Sequence, residues 1–146
     1  LILNQAIDNF EFKSYETSLD VKDFDTSFVK GLSFEDGCAT LTKFTAYLIA
    51  DGLRKINRQN NVNTNQYIFC GGGRKNKSLM KSIENYLVDK NIVIKDIDDY
   101  NFDGNFIESQ AFAYLAIRSY LKLPISFPST TRCKKVISGG DILKNF

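Results

Sequence analysis

Residues 66–76 read Gln66-Tyr67-Ile68-Phe69-Cys70-Gly71-Gly72-Gly73-Arg74-Lys75-Asn76, and this stretch decides the fold. A short apolar run of this kind is typical of a strand, and a helical pattern follows the three glycines. Because glycine lacks Cβ and adopts positive φ freely, three in succession let a ligand approach the bare backbone. The next helix would direct its unpaired N–H groups to the same place, which favours a phosphate or a nucleotide.

A flexible strand-to-helix turn is the alternative interpretation of these glycines. Neither established phosphate-loop pattern is present, since the sequence contains no G-x-x-x-x-G-K-[ST] and no G-x-G-x-x-G. The rest of the chain must therefore distinguish a nucleotide site from a simple turn.

The composition is that of a chain that can form one folded domain. Its 146 residues are 43% hydrophobic and 25% charged, with no apolar run long enough to span a bilayer. The net charge is only +2 and the lysines are dispersed, so we expect neither a nucleic-acid partner nor a membrane partner. The three widely spaced cysteines indicate reduced thiols in a cytoplasmic protein, with neither a disulfide framework nor zinc.

The absence of histidine limits the chemistry that the chain can carry. It removes Ser-His-Asp and Cys-His catalysis, the H-E-x-x-H metal site and imidazole ligation. Carboxylates, amides and backbone must supply any functional groups, and we expect no metal ligands. The chain also starts Leu1-Ile2-Leu3-Asn4 and has Met80 as its single methionine, so we expect a larger polypeptide to contribute an N-terminal part.

Helices and strands alternate in the predicted order. A helix is predicted over about residues 34–57, because Ser33 and Asp36 fit a capping box and apolar residues follow at helical spacing. Residues 66–70 and 92–97 have the short apolar or β-branched composition of strands. This alternation favours an α/β architecture in which helices flank a sheet.

The C-terminal half contains two further predicted helices and a tail. Asn76 can cap a helix that ends near residues 90–91, and another helix begins near Phe106. The helix after Phe106 is apolar nearly all the way round, so we expect other elements to bury it, either a sheet or a neighbouring lobe or both. Pro124 and Pro128 then oppose further helix, which predicts an extended tail.

Three sequence blocks identify a likeness to a known family. They are residues 32–46 (LSFEDGCATLTKFTA), residues 70–80 (CGGGRKNKSLM) and residues 103–116 (DGNFIESQAFAYLA). In this order, they resemble the C-terminal half of the anhydro-N-acetylmuramic acid kinases, within the actin, sugar-kinase and heat-shock ATPase superfamily. The resemblance implies an α/β fold: the C-terminal lobe of a ribonuclease H-like (actin-like ATPase) kinase, with a sheet flanked by helices.

The resemblance also implies a reaction and its cofactors. Residues 1–146 would form a single partial domain that binds nucleotide and sugar, using ATP and Mg²⁺ to convert 1,6-anhydro-N-acetylmuramic acid into N-acetylmuramic acid 6-phosphate. The water-activating aspartate and the first phosphate loop would belong to an absent N-terminal lobe, so no catalytic residue is assigned and the fragment alone is expected to be inactive. Its partners would be ATP and an amino sugar in cytoplasmic cell-wall recycling, and a homodimer remains open.

The resemblance assigns site residues as well. Gly71, Gly72 and Gly73 would let ATP lie against the backbone, and Asn76 would cap the following helix, contact ATP, or do both. Two interpretations apply to the basic pair at residues 74–75, namely phosphate contact or, as we favour, a solvated pair at a turn.

Glu108 is the candidate for sugar contact. The alternative is a capping box with Asn105, in which the Glu108 carboxylate only closes the helix end. Glu35 and Asp36 are interpreted as first-turn residues that complement the helix dipole. The chain departs from the family pattern at residues 15–17, where Tyr-Glu-Thr replaces a common Pro-Pro-Lys, and this departure puts full activity or the usual substrate preference in doubt.

Two other functions compete with the kinase. One is a noncatalytic module of the same superfamily that binds a nucleotide or senses a sugar without a working partner lobe. The other is a structural or interaction fragment. A phosphate loop and a cleft aspartate upstream would favour the kinase.

Overall fold

A computed structural model describes residues 1–10, 20–59, 65–88 and 92–143. The helices and strands, in chain order, are α1 (Ile2–Asn9), α2 (Phe34–Gln59), β1 (Gln66–Phe69), α3 (Lys77–Leu87), β2 (Val93–Asp96), α4 (Ile107–Tyr120) and α5 (Pro128–Thr131). Within these ranges, no helix combines the length and the apolar character needed to cross a membrane. The three cysteines are free thiols, as predicted.

The sheet consists of the two predicted strands, which pair in parallel. Gln66 lies opposite Val93, and Phe69 lies opposite Asp96 at the carboxyl end. Helix α3 makes the connection between them, so β1, α3 and β2 form a βαβ unit, the usual way to join parallel neighbours. The glycine turn therefore lies at the sheet edge where both strands end.

The core lies between α2, α3 and one face of the sheet. Its fully buried residues are Ala46 and Ala50 of α2 and Ile83 and Leu87 of α3. Partly buried apolar side chains surround them, including Leu53, Leu79, Phe69 and Ile94. The small alanines allow α2 to approach α3 closely.

The predicted long helix is confirmed as α2. The Ser33 hydroxyl oxygen accepts a hydrogen bond from the Asp36 backbone N–H at 3.1 Å, which satisfies one of the unpaired donors of the first turn. Glu35 and Asp36 lie in that turn, as predicted, where their negative charge complements the helix dipole.

The opposite face of the sheet is only partly covered. Side chains alternate along a strand, so Ile68 and Val93 point away from the α2–α3 core, and they are 49% and 42% exposed. Parallel sheets normally carry helices on both faces. The described chain thus presents one completed layer of an α/β architecture.

The described residues do not bury the third predicted helix, so its expected burial by a neighbouring lobe stays a prediction. Helix α4 has no buried residue, and Phe112, Ile117 and Tyr120 are between 60% and 69% exposed. Its sequence is apolar on nearly all sides, but no element among the described residues buries it.

The prediction of an extended tail is wrong in part. Pro128 occupies the first position of the short helix α5, where proline loses no intrahelical hydrogen bond. An antiparallel bridge joins Ser126, which precedes α5, to Ile137, which follows it. The Ser119 hydroxyl of α4 donates a hydrogen bond to the Gly139 carbonyl, so the tail folds back onto the end of α4.

Before α2, the described residues contain one short α-helix and two 3₁₀ turns. Helix α1 packs beside α2, and the ring of Phe10 lies edge-on to that of Phe44 at 5.6 Å between centroids. Asp20 and Asp23 form a reciprocal capping box around the 3₁₀ turn at Val21–Asp23. The departure from the family pattern at residues 15–17 lies outside the described residues.

Candidate functional site

The glycine turn joins the end of β1 to the start of α3. Gly71 has φ 83° and ψ 175°, a conformation that side chains with Cβ rarely adopt. Residues Gly72–Lys75 then form a 3₁₀ turn, and α3 begins directly after Asn76. In open α/β sheets, ligands bind in the crevice beyond the carboxyl ends of the strands, which is where this turn lies.

The turn presents bare backbone to open space. A Cβ placed on Gly71 or Gly72 would have no neighbouring heavy atom within 4 Å, and one on Gly73 would only touch Leu79 Cδ2 at 3.8 Å. Gly71 needs its glycine for a positive φ, but Gly72 has neither a positive φ nor a crowded neighbourhood. Within the described chain, the fold therefore does not require glycine at position 72.

Asn76 is the N-cap of α3. Its side-chain oxygen accepts a hydrogen bond from the Leu79 backbone N–H at 3.1 Å, so the predicted cap is confirmed. The side-chain amide nitrogen has no hydrogen-bond partner among the described residues, and Asn76 is exposed. The cap and a ligand contact therefore use different atoms of one amide, and the contact with ATP stays a prediction.

Arg74 corrects the expectation of a solvated basic pair. Its side chain is only 2% exposed, whereas Lys75 is exposed. The guanidinium Nε donates to Asp96 Oδ1 at 3.0 Å, and Nη2 donates to both oxygens of Asp98 at 2.7 and 3.0 Å. Nη1 donates to the Gly71 carbonyl at 2.9 Å. The Arg74 charge is therefore paired with two carboxylates of the protein itself.

A third segment completes this arrangement. Asp98 Oδ1 accepts a hydrogen bond from the Gly104 backbone N–H at 2.7 Å, and the Gly104 carbonyl accepts one from the Gly71 N–H at 3.3 Å. Hydrogen bonds from the Arg74 guanidinium and then from the Gly104 N–H hold the pKa of Asp98 below its usual range. The bond to Asp98 in turn raises the pKa of Arg74. We call these five residues, Gly71, Arg74, Asp96, Asp98 and Gly104, the Arg74 cluster.

Glu108 lies exposed in the first turn of α4, and its proposed capping box with Asn105 is wrong. The helix begins one residue later than that pattern requires, with Phe106 as a cap that makes no side-chain bond. The Asn105 N–H and side-chain amide both donate to Asp103 Oδ1, at 2.9 and 2.8 Å. This local turn competes with the helix for Asn105. Glu108 has no hydrogen bond or ion pair with any described residue.

Two other features bear on the site. Among the described residues, no group of three or more His, Cys, Asp or Glu side chains is arranged to hold a metal ion. A cavity of about 820 Å³ lies elsewhere, where α1, the segment around residues 22–28 and Phe44 of α2 meet. It shares no residue with the glycine turn.

The fold and the turn together define a class of protein. A parallel βαβ unit with an exposed, unobstructed glycine turn at the carboxyl ends of its strands defines an α/β domain, and this edge is where such domains commonly bind ligands. The family model described as anhydro-N-acetylmuramic acid kinase matches residues 8–145. The chain therefore belongs to the anhydro-N-acetylmuramic acid kinase family.

Curated relatives agree with this family. The anhydro-N-acetylmuramic acid kinase of Pelagibacter ubique (strain HTCC1062) is 58% identical over 149 residues, which cover 100% of this chain and 39% of the relative. The kinase of the same name from Zymomonas mobilis is 39% identical, covering 86% of this chain and 32% of the relative. Anhydro-N-acetylmuramic acid kinase 2 of Jannaschia sp. (strain CCS1) is 37% identical, covering 89% of this chain and 32% of the relative. The chain thus spans less than half the length of these relatives.

Proposed function

We propose that this chain is the C-terminal lobe of a sugar kinase with a ribonuclease H-like, actin-like ATPase fold. The two-stranded parallel sheet is covered by α2 and α3 on one face, while Ile68 and Val93 remain exposed on the other. Helix α4 is apolar but has no buried residue. These uncovered surfaces, and the 39% of the Pelagibacter relative that the chain matches, support a lobe that is completed by further sequence.

The proposed reaction of the whole enzyme is the ATP-dependent opening of 1,6-anhydro-N-acetylmuramic acid. Water forms a bond to the anomeric carbon as the bond from that carbon to O6 breaks, and O6 takes the γ-phosphoryl group of ATP. The products are N-acetylmuramic acid 6-phosphate, ADP and one proton from water. This activity belongs to cytoplasmic recycling of the cell wall.

The open glycine turn is the observation that carries this proposal. A Cβ at Gly72 would meet nothing within 4 Å, so adenosine or phosphate can lie directly against the backbone there. The start of α3 adds unpaired N–H groups and the positive end of the helix dipole, which favour the negative charge of a nucleotide. Asn76 adds side-chain amide donors at the same helix end.

Glu108 supplies the proposed contact with the sugar. Its carboxylate is exposed and unengaged by the described residues, because Asn105 bonds to Asp103 instead of forming a capping box. A free carboxylate can accept hydrogen bonds from sugar hydroxyls. Glu108 would thereby orient the substrate without taking part in the bond changes.

Mg²⁺ would accompany the nucleotide. When bound, it would neutralise negative charge that develops on the phosphates during phosphoryl transfer. Proteins commonly hold Mg²⁺ through one or two carboxylates together with the phosphates themselves, and no carboxylate of this chain is assigned to the ion. This chain's own contribution is the backbone wall against which ATP lies.

Product formation tests the proposal. The complete gene product that contains this chain, incubated with ATP, Mg²⁺ and 1,6-anhydro-N-acetylmuramic acid, should form the 6-phosphate and ADP in equal amounts. A chimera in which this chain replaces the matching part of the Pelagibacter relative should do the same, whereas residues 1–146 alone should not turn over. Nucleotide binding without product in both complete proteins would instead favour a sensing module.

A further inference from the structure

We propose that Arg74 is a positioning residue that holds the glycine turn in the conformation that binds nucleotide; this inference rests on the proposed function. Its side chain is 2% exposed, so it cannot itself reach a ligand in solvent. It acts instead through the residues that it contacts.

One guanidinium joins two segments that lie far apart in sequence. Nη1 donates to the Gly71 carbonyl, while Nε donates to Asp96 and Nη2 to Asp98. Asp96 is the last residue of β2, and Asp98 lies two residues after it. The planar fork of arginine directs these donors in fixed directions, which a lysine ammonium on a flexible stem cannot reproduce. The turn after β1 is thereby fixed to the end of β2.

Gly71 is fixed at both of its backbone polar groups. Its carbonyl accepts from Arg74, and its N–H donates to the Gly104 carbonyl at 3.3 Å. The φ of 83° at Gly71 sets the direction in which Gly72 and Gly73 leave the strand. Loss of the Arg74 bond would release this conformation and misplace the backbone that faces the nucleotide.

Gly104 brings the third segment against the guanidinium. A Cβ at this position would lie 2.6 Å from Arg74 Cζ and 2.6 Å from Ile97 Cγ2, so only glycine permits the approach. Gly104 also precedes α4, where Glu108 lies in the first turn. The Arg74 cluster therefore joins the proposed nucleotide wall to the segment that carries the proposed sugar contact.

The competing explanation is that the Arg74 ion pair only stabilises the fold. A second arginine with similar bonds, away from the turn, serves as a control that distinguishes a stabilising role from a positioning role. Arg54 on α2 also has an ion pair, to Asp51 at 3.6 Å, and donates to the Tyr86 carbonyl at 3.4 Å between α2 and α3. Arg54→Lys removes a guanidinium that bonds to residues of α2 and α3. It changes no residue of the glycine turn. Both substitutions keep the charge and remove the guanidinium.

The test uses the complete gene product and compares Arg74→Lys with Arg54→Lys. Arg74→Lys should raise the KM for ATP on the order of tenfold, with a smaller change in kcat at saturating ATP, because misplaced binding groups weaken positioning. Arg54→Lys should leave the KM for ATP unchanged. A folded Arg74→Lys variant with the wild-type KM for ATP would overturn the inference.

Two further measurements keep the test decisive. If Arg74→Lys does not fold, Asp98→Asn replaces it, since the amide keeps the shape but weakens the bond to the guanidinium; a wild-type KM for ATP in that folded variant would count against the proposal. If the wild-type protein proves inactive, the proposed function fails, but the positioning role of Arg74 is still untested by kinetics and needs a second measurement. Amide hydrogen exchange then decides the inference, which requires the Gly71 N–H, bonded to the Gly104 carbonyl, to exchange faster in Arg74→Lys than in Arg54→Lys; equal exchange overturns it.

Discussion

The Arg74 guanidinium donates to both carboxylate oxygens of Asp98, at 2.7 and 3.0 Å, across 24 positions of sequence. The parallel pairing of β1 and β2 explains this proximity, because both residues follow strands whose carboxyl ends lie side by side. The carboxylate also accepts from the Gly104 N–H. Three hydrogen bonds to one ionised carboxylate make its charge state important to the fold.

Stability should depend on pH through Asp98. Its pKa lies below its usual value of about 3.9, chiefly because of the hydrogen bond from Arg74. Ionised Asp98 therefore stabilises the folded protein fully above the usual pKa, and this stabilisation is lost as pH falls through the lowered pKa. Asp98→Asn removes this titration. Denaturant midpoints of both proteins should differ most above about pH 5 and converge in stronger acid. A difference that is constant from pH 7 into that acid range would contradict the ion pair.

Gly72→Val should raise the KM for ATP without unfolding the protein. The new side chain would enter the space in which we propose that the nucleotide lies, so ATP should bind less tightly. Because no described residue occupies that space, the free energy of unfolding should change by only about 0.5 kcal/mol or less. Steady-state kinetics and a denaturation curve measure both effects.

Gly104→Ala is the contrasting substitution at a packed glycine. Its Cβ would collide with Arg74 and Ile97, and overpacking of this kind commonly costs about 1–3 kcal/mol. If Gly72→Val destabilised the protein as much as Gly104→Ala, position 72 would be structural and the nucleotide assignment would lose its support.

Substitutions at Asn76 should separate its cap from its proposed contact with ATP. Asn76→Ala removes the oxygen that caps α3 and should cost about 0.5–2 kcal/mol of stability. Asn76→Asp keeps a capping oxygen but replaces the amide donors with negative charge, so it should retain stability and raise the KM for ATP. An Asn76→Asp variant with the wild-type KM would leave Asn76 as a cap only.

Glu108→Gln should weaken sugar binding selectively. Because Glu108 makes no capping bond, the substitution should change the free energy of unfolding by about 0.5 kcal/mol or less, while the KM for the anhydro sugar rises. Asn105→Ala is the neighbouring control, since it disrupts the local turn with Asp103. Glu108→Gln with an unchanged sugar KM and reduced stability would restore the capping interpretation.

Helix α4 should be poorly protected in residues 1–146 taken alone. It has no buried residue, whereas α3 buries Ile83 and Leu87 completely, and amides in weakly packed helices exchange through small local openings. Hydrogen exchange followed by mass spectrometry should show α4 exchanging well before α3. In the complete gene product, α4 should gain protection; equal rates for both helices in the isolated chain would show that α4 needs no cover.

The helices and strands of the central unit could be predicted because their signals are local. The capping pattern at Ser33, the helical spacing of α2 and the apolar run of β1 each lie within a few residues, and the structure confirms all three. The open turn at Gly72 was likewise indicated by consecutive glycines.

The missed features depend on contacts between distant residues or on competing local bonds. The burial of Arg74 requires Asp96 and Asp98, more than 20 positions away, so the local pattern of two adjacent basic residues suggested solvent instead. Asn105 fitted a capping box by spacing, but Asp103 captures its amide and N–H. The apolar character of α4 was evident from its sequence, but the described residues leave the helix without a buried residue.

A crystal structure of the complete gene product with a non-hydrolysable ATP analogue tests the central claim most directly. It should place nucleotide atoms within about 4 Å of the backbone of Gly71, Gly72 and Gly73, in ordinary van der Waals or hydrogen-bonding contact. The contradicting result is a nucleotide bound elsewhere, with the glycine turn covered by the protein's own side chains.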